Sequence, residues 1–215
     1  QSMVEASPNA GMANHLHIGD LPPGLAFGDS VAIDTETMGL NPVRDRLCLV
    51  QISRGDGDCH LVQLTPPHSY DAPNLNALLA DPGVLKIFHF ARFDVGMIQK
   101  HLQVTCAPVY CTKIASKLVR TFTDRHGYKD LCRDLLGIDI SKQQQSSDWG
   151  APELKPEQLD YAATDVLHLH AIKQILDERL EREGRRELAQ ACFSFLPHRG
   201  ELDLAGWDEP DIFSH

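Results

Sequence analysis

The chain has 215 residues, 42% hydrophobic and 23% charged, which suits a globular core and excludes a disordered chain. No apolar run approaches the roughly 18–20 residues needed to span a bilayer, and the first residues lack the basic and apolar regions of a secretory leader. The formal charge of −10 argues against a binder of long nucleic-acid duplexes, which carries a basic footprint. Positive charge is local: Lys113, Lys117, Arg120, Arg125, Lys129 and Arg133 face only Asp124 and Asp130 within residues 112–133. That strip carries +4 and leaves −14 on the rest of the chain. Six scattered cysteines form no CxxC pair, so they read as reduced thiols of a cytoplasmic protein.

Residues 1–14 read as a flexible N-terminus, with Gln1–Ser2 ahead of Met3 as an expression remnant, and irregular chain continues to residue 30. Ser30–Asp34, Leu47–Ile52 and Cys59–Leu64 read as strands, the last two separated by the turn signal Gly55-Asp56-Gly57, giving an antiparallel meander. A short helix is expected over Asn74–Ala80, a strand over Val84–Phe88, and helices over Phe93–His101 and Cys111–Val119. From Gly127 the pattern is helical almost throughout. A long helix begins at Pro156, and Leu159, Ala162, Val166, Leu169, Ile172, Leu176 and Leu180 form its core-facing stripe. The segment Phe193–Phe213 is apolar yet broken by Pro197, Gly200, Gly206 and Pro210, and so reads as irregular. The division expected is a single α/β domain over 15–190 and an apolar tail over 191–215 that docks on it or on a neighbouring subunit.

Three segments place acidic groups at the edges of core elements. Asp34 and Glu36 sit two apart where a strand ends, on one face and roughly 6–7 Å apart. Asp94 follows another strand at the start of a helix. Tyr161 and Asp165, at i and i+4, share a helix face. Read singly, each is an ordinary strand end, helix start or amphipathic boundary.

Together, and in this order, the segments resemble the DEDDy exonucleases related to RNase D. The resemblance implies an RNase H-like DEDD exonuclease fold, α/β, with a mixed five-stranded sheet flanked by helices. It implies two divalent cations, Mg²⁺ or Mn²⁺, with Asp34 bridging both. Glu36 and Asp165 would bind the ion on the nucleophile side, and Asp94 would support the other, partly through water. Tyr161 would hydrogen-bond the attacking water. Four carboxylates suit this chemistry, because hard oxygen ligands hold hard cations around an anionic phosphorus.

The segments Cys111-Thr-Lys-Ile-Ala-Ser-Lys-Leu, Thr123-Asp-Arg-His-Gly127, Ser141-Lys-Gln-Gln-Gln-Ser-Ser-Asp-Trp149, Phe195-Leu-Pro and Gly206-Trp-Asp-Glu-Pro-Asp-Ile-Phe213 are similar to the nanoRNase C (NrnC) group. These are single-domain relatives of RNase D, without its HRDC modules. That resemblance implies 3′–5′ hydrolysis of short single-stranded RNA, including the dinucleotide pGpG, by a homo-octamer. Leu40 is expected either as a wedge between bases or in packing, and His89 either at a phosphate or sugar or in the core. Arg125, His126, Lys129, Lys142, Gln145, Ser146 and Ser147 offer donors for a 5′-phosphate cap, or form a solvated basic strip. Trp149 reads as a loop anchor rather than a base-stacking platform. Trimming of longer RNA, exonuclease action on DNA, and a silent binding module are the competing readings; the full set of acidic residues opposes the last.

Overall fold

The computed structural model describes residues 13–64 and 70–215. Residues 1–12, the greater part of the expected flexible N-terminus, lie outside the described residues. The strands are β1 (Ala13–Ile18), β2 (Ser30–Thr37), β3 (Leu47–Ser53), β4 (Asp58–Gln63), β5 (Leu85–Phe88) and β6 (Val109–Cys111). They form one mixed sheet in the order β1-β4-β3-β2-β5-β6. The expected antiparallel meander is present in β2, β3 and β4. On the other side of β2, β5 and β6 run parallel to it, and β1 runs parallel to β4.

The sheet therefore has six strands rather than five. β1 falls in the stretch expected to be irregular, because this edge strand is largely exposed and carries no apolar run. The three residues of β6 are too few to show a period and pass directly into the following helix.

The helices are α1 (Pro73–Ala80), α2 (Ala91–Leu102), α3 (Thr112–Val119), α4 (Tyr128–Leu131), α5 (Pro156–Leu167), α6 (Leu169–Arg182) and α7 (Arg186–Leu202). The apolar stripe expected on one long helix belongs to two. The break falls at His168, whose φ of −106° and ψ of −3° end α5 and begin α6. α5 packs across β2, β3 and β4, while α3, α6 and α7 pack on one another.

The C-terminal segment is not irregular. α7 runs through Pro197 and ends in a π-helical turn over Asp203–Trp207. Burial of Phe193 and Leu196 and close packing on α2 outweigh the helix-breaking residues. A charged lattice then ties the turn down. Arg92 donates to both carboxylate oxygens of Asp203 at 2.8 Å, and Arg199 pairs with Asp203 at 3.2 Å and Asp211 at 2.9 Å. Arg199 also donates to the Trp207 carbonyl at 2.6 Å.

Because Arg199 is buried, its removal leaves two carboxylates short of a partner. Arg199→Ala is expected to lower stability in urea unfolding by about 3 kcal/mol; a loss under about 1 kcal/mol would mean that water already screens the lattice.

Candidate active site

Ligand sites in open α/β sheets lie beyond the C-terminal ends of parallel strands, where the chain departs to opposite sides. β2 is such a strand: it leads to β3 on one side and lies parallel to β5 on the other. Its pairing with β5 ends at Ala32, so Asp34 and Glu36 stand on a stretch that has outrun its neighbour. His89, Phe90 and Asp94 follow the C-terminal end of β5, and Lys113 follows that of β6. α5 crosses this edge and brings Tyr161 and Asp165 to it.

Asp34, Glu36 and Asp165 each offer a carboxylate oxygen, and these oxygens all lie within 4.8 Å of one another. Asp94 is not in that group. It is buried in the first turn of α2, where one carboxylate oxygen accepts the Thr35 hydroxyl hydrogen bond. Gln51, fully buried on β3, donates to Glu36 Oε1 at 3.1 Å and to the Ala162 carbonyl at 3.3 Å. One side chain thus joins β3, the acidic end of β2 and α5.

Burial, and next the charges of acidic neighbours, hold Asp34 and Glu36 well above the ordinary carboxylate range. Asp94 is pushed up to about 8, chiefly by burial and against the pull of the Thr35 hydrogen bond. Burial likewise pushes Asp165 up to about 7, while hydrogen bonds with Asp34 and Glu36, and then the charge of Lys142, pull in the other direction. The cluster therefore disfavours its own ionised form until positive charge is supplied. An all-oxygen donor set with that electrostatic need fits a hard divalent cation.

A cavity of about 270 Å³ opens on the cluster, lined by Asp34, Asp165 and Tyr161, with Lys113, Lys129 and Lys142. His89 and Gln145 also line it. His89 Nδ1 lies 2.9 Å from Thr112 Oγ1, and burial pushes the ring down to about 3, so the imidazole is neutral there. Burial and then the charge of Asp165 raise the Tyr161 phenol, keeping it protonated.

Other expected residues are placed elsewhere. Leu40 is 84% exposed and does not line the cavity. Neither do Arg125, His126, Ser146 and Ser147. His126 is buried with Nδ1 at 2.7 Å from Ser116 Oγ, and the Arg125 carbonyl accepts from Arg120. Ser147 Oγ accepts from Gln158 at 2.7 Å, which fixes the loop to the start of α5. Trp149 is the loop anchor expected of it: it is buried, donates to the Gln145 carbonyl at 3.4 Å and tilts against Tyr161.

Sequence reasoning did not single out Phe90, Lys113 and Tyr128 on the cavity, or Gln51 and Thr35 behind the carboxylates. Two signals were legible: Lys113 in the basic strip, and Gln51, the amide in the otherwise apolar Leu47-Cys-Leu-Val-Gln-Ile52.

Residues 21–181 match the family model described as 3′–5′ exonuclease. The fold is similar to that of Brucella melitensis NrnC with bound Mg²⁺, at 54% identity and a TM-score of 0.89, covering 95% of this chain and 100% of that one. It is equally similar to the same protein bound to pGG, at 55% identity and a TM-score of 0.90, covering 95% and 99% of the two chains. Ribonuclease D of Granulibacter bethesdensis is 39% identical over 155 residues, which are 72% of this chain and 38% of that protein. The chain thus spans well under half the length of that curated relative. The six-stranded mixed sheet flanked by helices is the RNase H-like exonuclease fold. With acidic groups gathered where that fold leaves its central strand open, and the match running from residue 21 to 181, the chain belongs to the 3′–5′ exonuclease family.

Proposed function

We propose that this chain hydrolyses short oligoribonucleotides from the 3′ end to nucleoside 5′-monophosphates, with dinucleotides such as pGpG preferred. The observation that carries the reading is one small cavity in which acidic groups of the cluster face three lysines. A cavity of about 270 Å³ admits the end of a strand and not a length of duplex. A single lysine cluster on a chain of net charge −10 suits a ligand with few phosphates. The likeness to NrnC bound to pGG supports the same substrate class.

In this reading Asp34, Glu36, Asp94 and Asp165 hold two divalent cations, Mg²⁺ or Mn²⁺. Bound there, the ions lower the pKa of water and stabilise charge on the leaving oxygen. Tyr161, kept protonated, orients the attacking water by a hydrogen bond and is no base. Lys113, Lys129 and Lys142 attract and hold the phosphates. Gln51 steadies Glu36 through its amide, and Thr35 steadies Asp94 through its hydroxyl. The six cysteines are all free, five of them buried, in keeping with a reducing cytoplasm. No helix among the described residues is long and apolar enough to cross a membrane.

The homo-octamer belongs to the same proposal. Trp207, Ile212 and Phe213 stay 48%, 51% and 66% exposed at the end of the chain, an apolar surface suited to a second copy. Light scattering is expected to give the mass of eight chains, and Trp207→Ser with Phe213→Ser is expected to lower it. A monomeric wild type would remove the assembly from the reading.

The substrate is tested with 5′-labelled RNAs of two, three, five, seven and twenty nucleotides, beside a matching DNA set. Fastest loss of the RNA dinucleotide is expected. Efficient trimming of the twenty-mer with dinucleotides accumulating would make the chain an RNase D-like trimmer instead; preference for the DNA set would overturn the choice of RNA.

Asp165→Asn is expected to lower kcat/KM at least about a thousandfold. In chelator the same change is expected to raise Tm, since one member of a repelling buried group is gone. Near-normal turnover would sink the metal assignment.

In chelator the wild type should lose stability as pH rises from about 4 through about 8. The folded state retains protons on Asp94 and Asp165 that the unfolded chain releases. Added Mg²⁺ should flatten that decline in Tm measured by scanning calorimetry, and an unchanged slope would count against cation binding at these carboxylates.

A further inference from the structure

Away from the carboxylates, three imidazoles gather on one face of the sheet at its β1 edge. His15 and His17 stand two apart on β1, so both side chains leave the same face, with Cα atoms roughly 6–7 Å apart. In the parallel register His15 lies opposite His60 of β4, and His17 lies opposite Val62. The His60 ring stacks on both of the others. Its centroid is 4.9 Å from that of His15, with planes 22° apart, and 5.3 Å from that of His17, with planes 10° apart.

Two of the rings touch through nitrogen. His17 Nε2 lies 3.0 Å from His60 Nδ1. Between neutral rings this contact is a hydrogen bond; with both nitrogens bare, two lone pairs face one space. Imidazole nitrogens bound to a single Zn²⁺ at roughly 2.0–2.1 Å stand about 3.0–3.4 Å from each other. Burial, and next the charge of His15, hold His17 below the usual imidazole range, and burial with the charges of His15 and His17 does the same for His60. Neutral rings release no proton when they bind a cation. Asp58 Oδ2 lies 3.8 Å from His15 Nε2, the place of a carboxylate that orients a ligating histidine and leaves its Nδ1 for the ion. Among the described residues only Asp34, Glu36 and Asp165 already bring three ligand atoms within 4.8 Å of one another. The histidine set closes when His15, whose side chain is 45% exposed, turns about its own side-chain bonds.

We propose that His15, His17 and His60 form a second metal site, for a transition-metal ion such as Zn²⁺, with His17 and His60 as the chelating pair and His15 as the third ligand. Nitrogen donors select Zn²⁺, Ni²⁺ or Cu²⁺, whereas the carboxylate cluster suits Mg²⁺, so the two sites take different classes of ion. β1 ends the sheet and has β4 as its one strand neighbour there, and an ion shared between the two strands pins that edge. The other face of β1 reaches α5, where Asn14 donates to Asp160 at 2.8 Å. A clamp on β1 therefore also braces the helix that carries Tyr161 and Asp165. The site stands or falls independently of the exonuclease reading.

The test is equilibrium dialysis of the full chain against Zn²⁺ in excess Mg²⁺, comparing wild type with His15→Gln, His17→Gln and His60→Gln. Zn²⁺ taken by the carboxylates is common to all four proteins, so the difference between them is read. Wild type is expected to hold one more Zn²⁺ per chain than the His17 and His60 variants, and His15→Gln to bind it about tenfold more weakly. Equal binding by all four proteins overturns the site. Cu²⁺ as a spin probe gives a reading that no variant needs to fold for: the wild type should show nitrogen hyperfine coupling in its electron paramagnetic resonance spectrum. Coordination by oxygen alone would remove the proposal.

Discussion

Like charges crowded into one half-buried place set the terms for the rest of the structure. Asp34, Glu36 and Asp165 converge within ligand distance, and the charge of Asp94 reaches the first two from behind Thr35. Such a group repels itself, and each member has also lost water. The surroundings answer with rigidity. β3 is buried throughout and β2 over half its length, α5 lies across them, and Gln51 ties three elements together beneath the cluster. A loose scaffold would let the carboxylates drift apart to regain solvent.

Topology decides where that rigidity ends and access begins. The parallel strands β2, β5 and β6 finish on the same side of the sheet; the last residues of β2 include Asp34 and Glu36, and the residues beyond β5 and β6 supply Asp94, His89, Phe90 and Lys113. The antiparallel partner β3 supplies support instead, through Gln51. Chemistry and support thus come from opposite flanks of a single strand.

The carboxylates on β2 and α5 were legible because their chemistry demands short fixed spacings, two along a strand and four along a helix, that survive as letters in order. Asp94 was legible only within the set, and its place behind Thr35 was not, since a hydrogen bond 59 residues apart leaves no local pattern. Lys129, Lys142 and Gln145 emerged from a basic strip, but the strip could not say which members line the cavity; Arg125 and His126 do not, and the His126 ring is engaged by Ser116. The meander was readable from apolar runs bounded by turn residues. β1 was hidden by its exposure and β6 by its brevity. In the C-terminal segment the local signals of proline and glycine pointed away from helix, whereas packing of α7 on α2 and the arginine lattice are contacts made at a distance.

Phe90 also bears on how this family member can change over time. Its φ of 63° is left-handed, and at such a position glycine costs no strain, so a mutation there that stabilises the fold is easily found. The same mutation would erase the ring from the wall of the catalytic cavity. Selection for durability and selection for the shape of the catalytic cavity therefore pull this one codon in opposite directions. A descendant freed from handling nucleotides would be expected to lose the phenylalanine early, while its carboxylates were still in place.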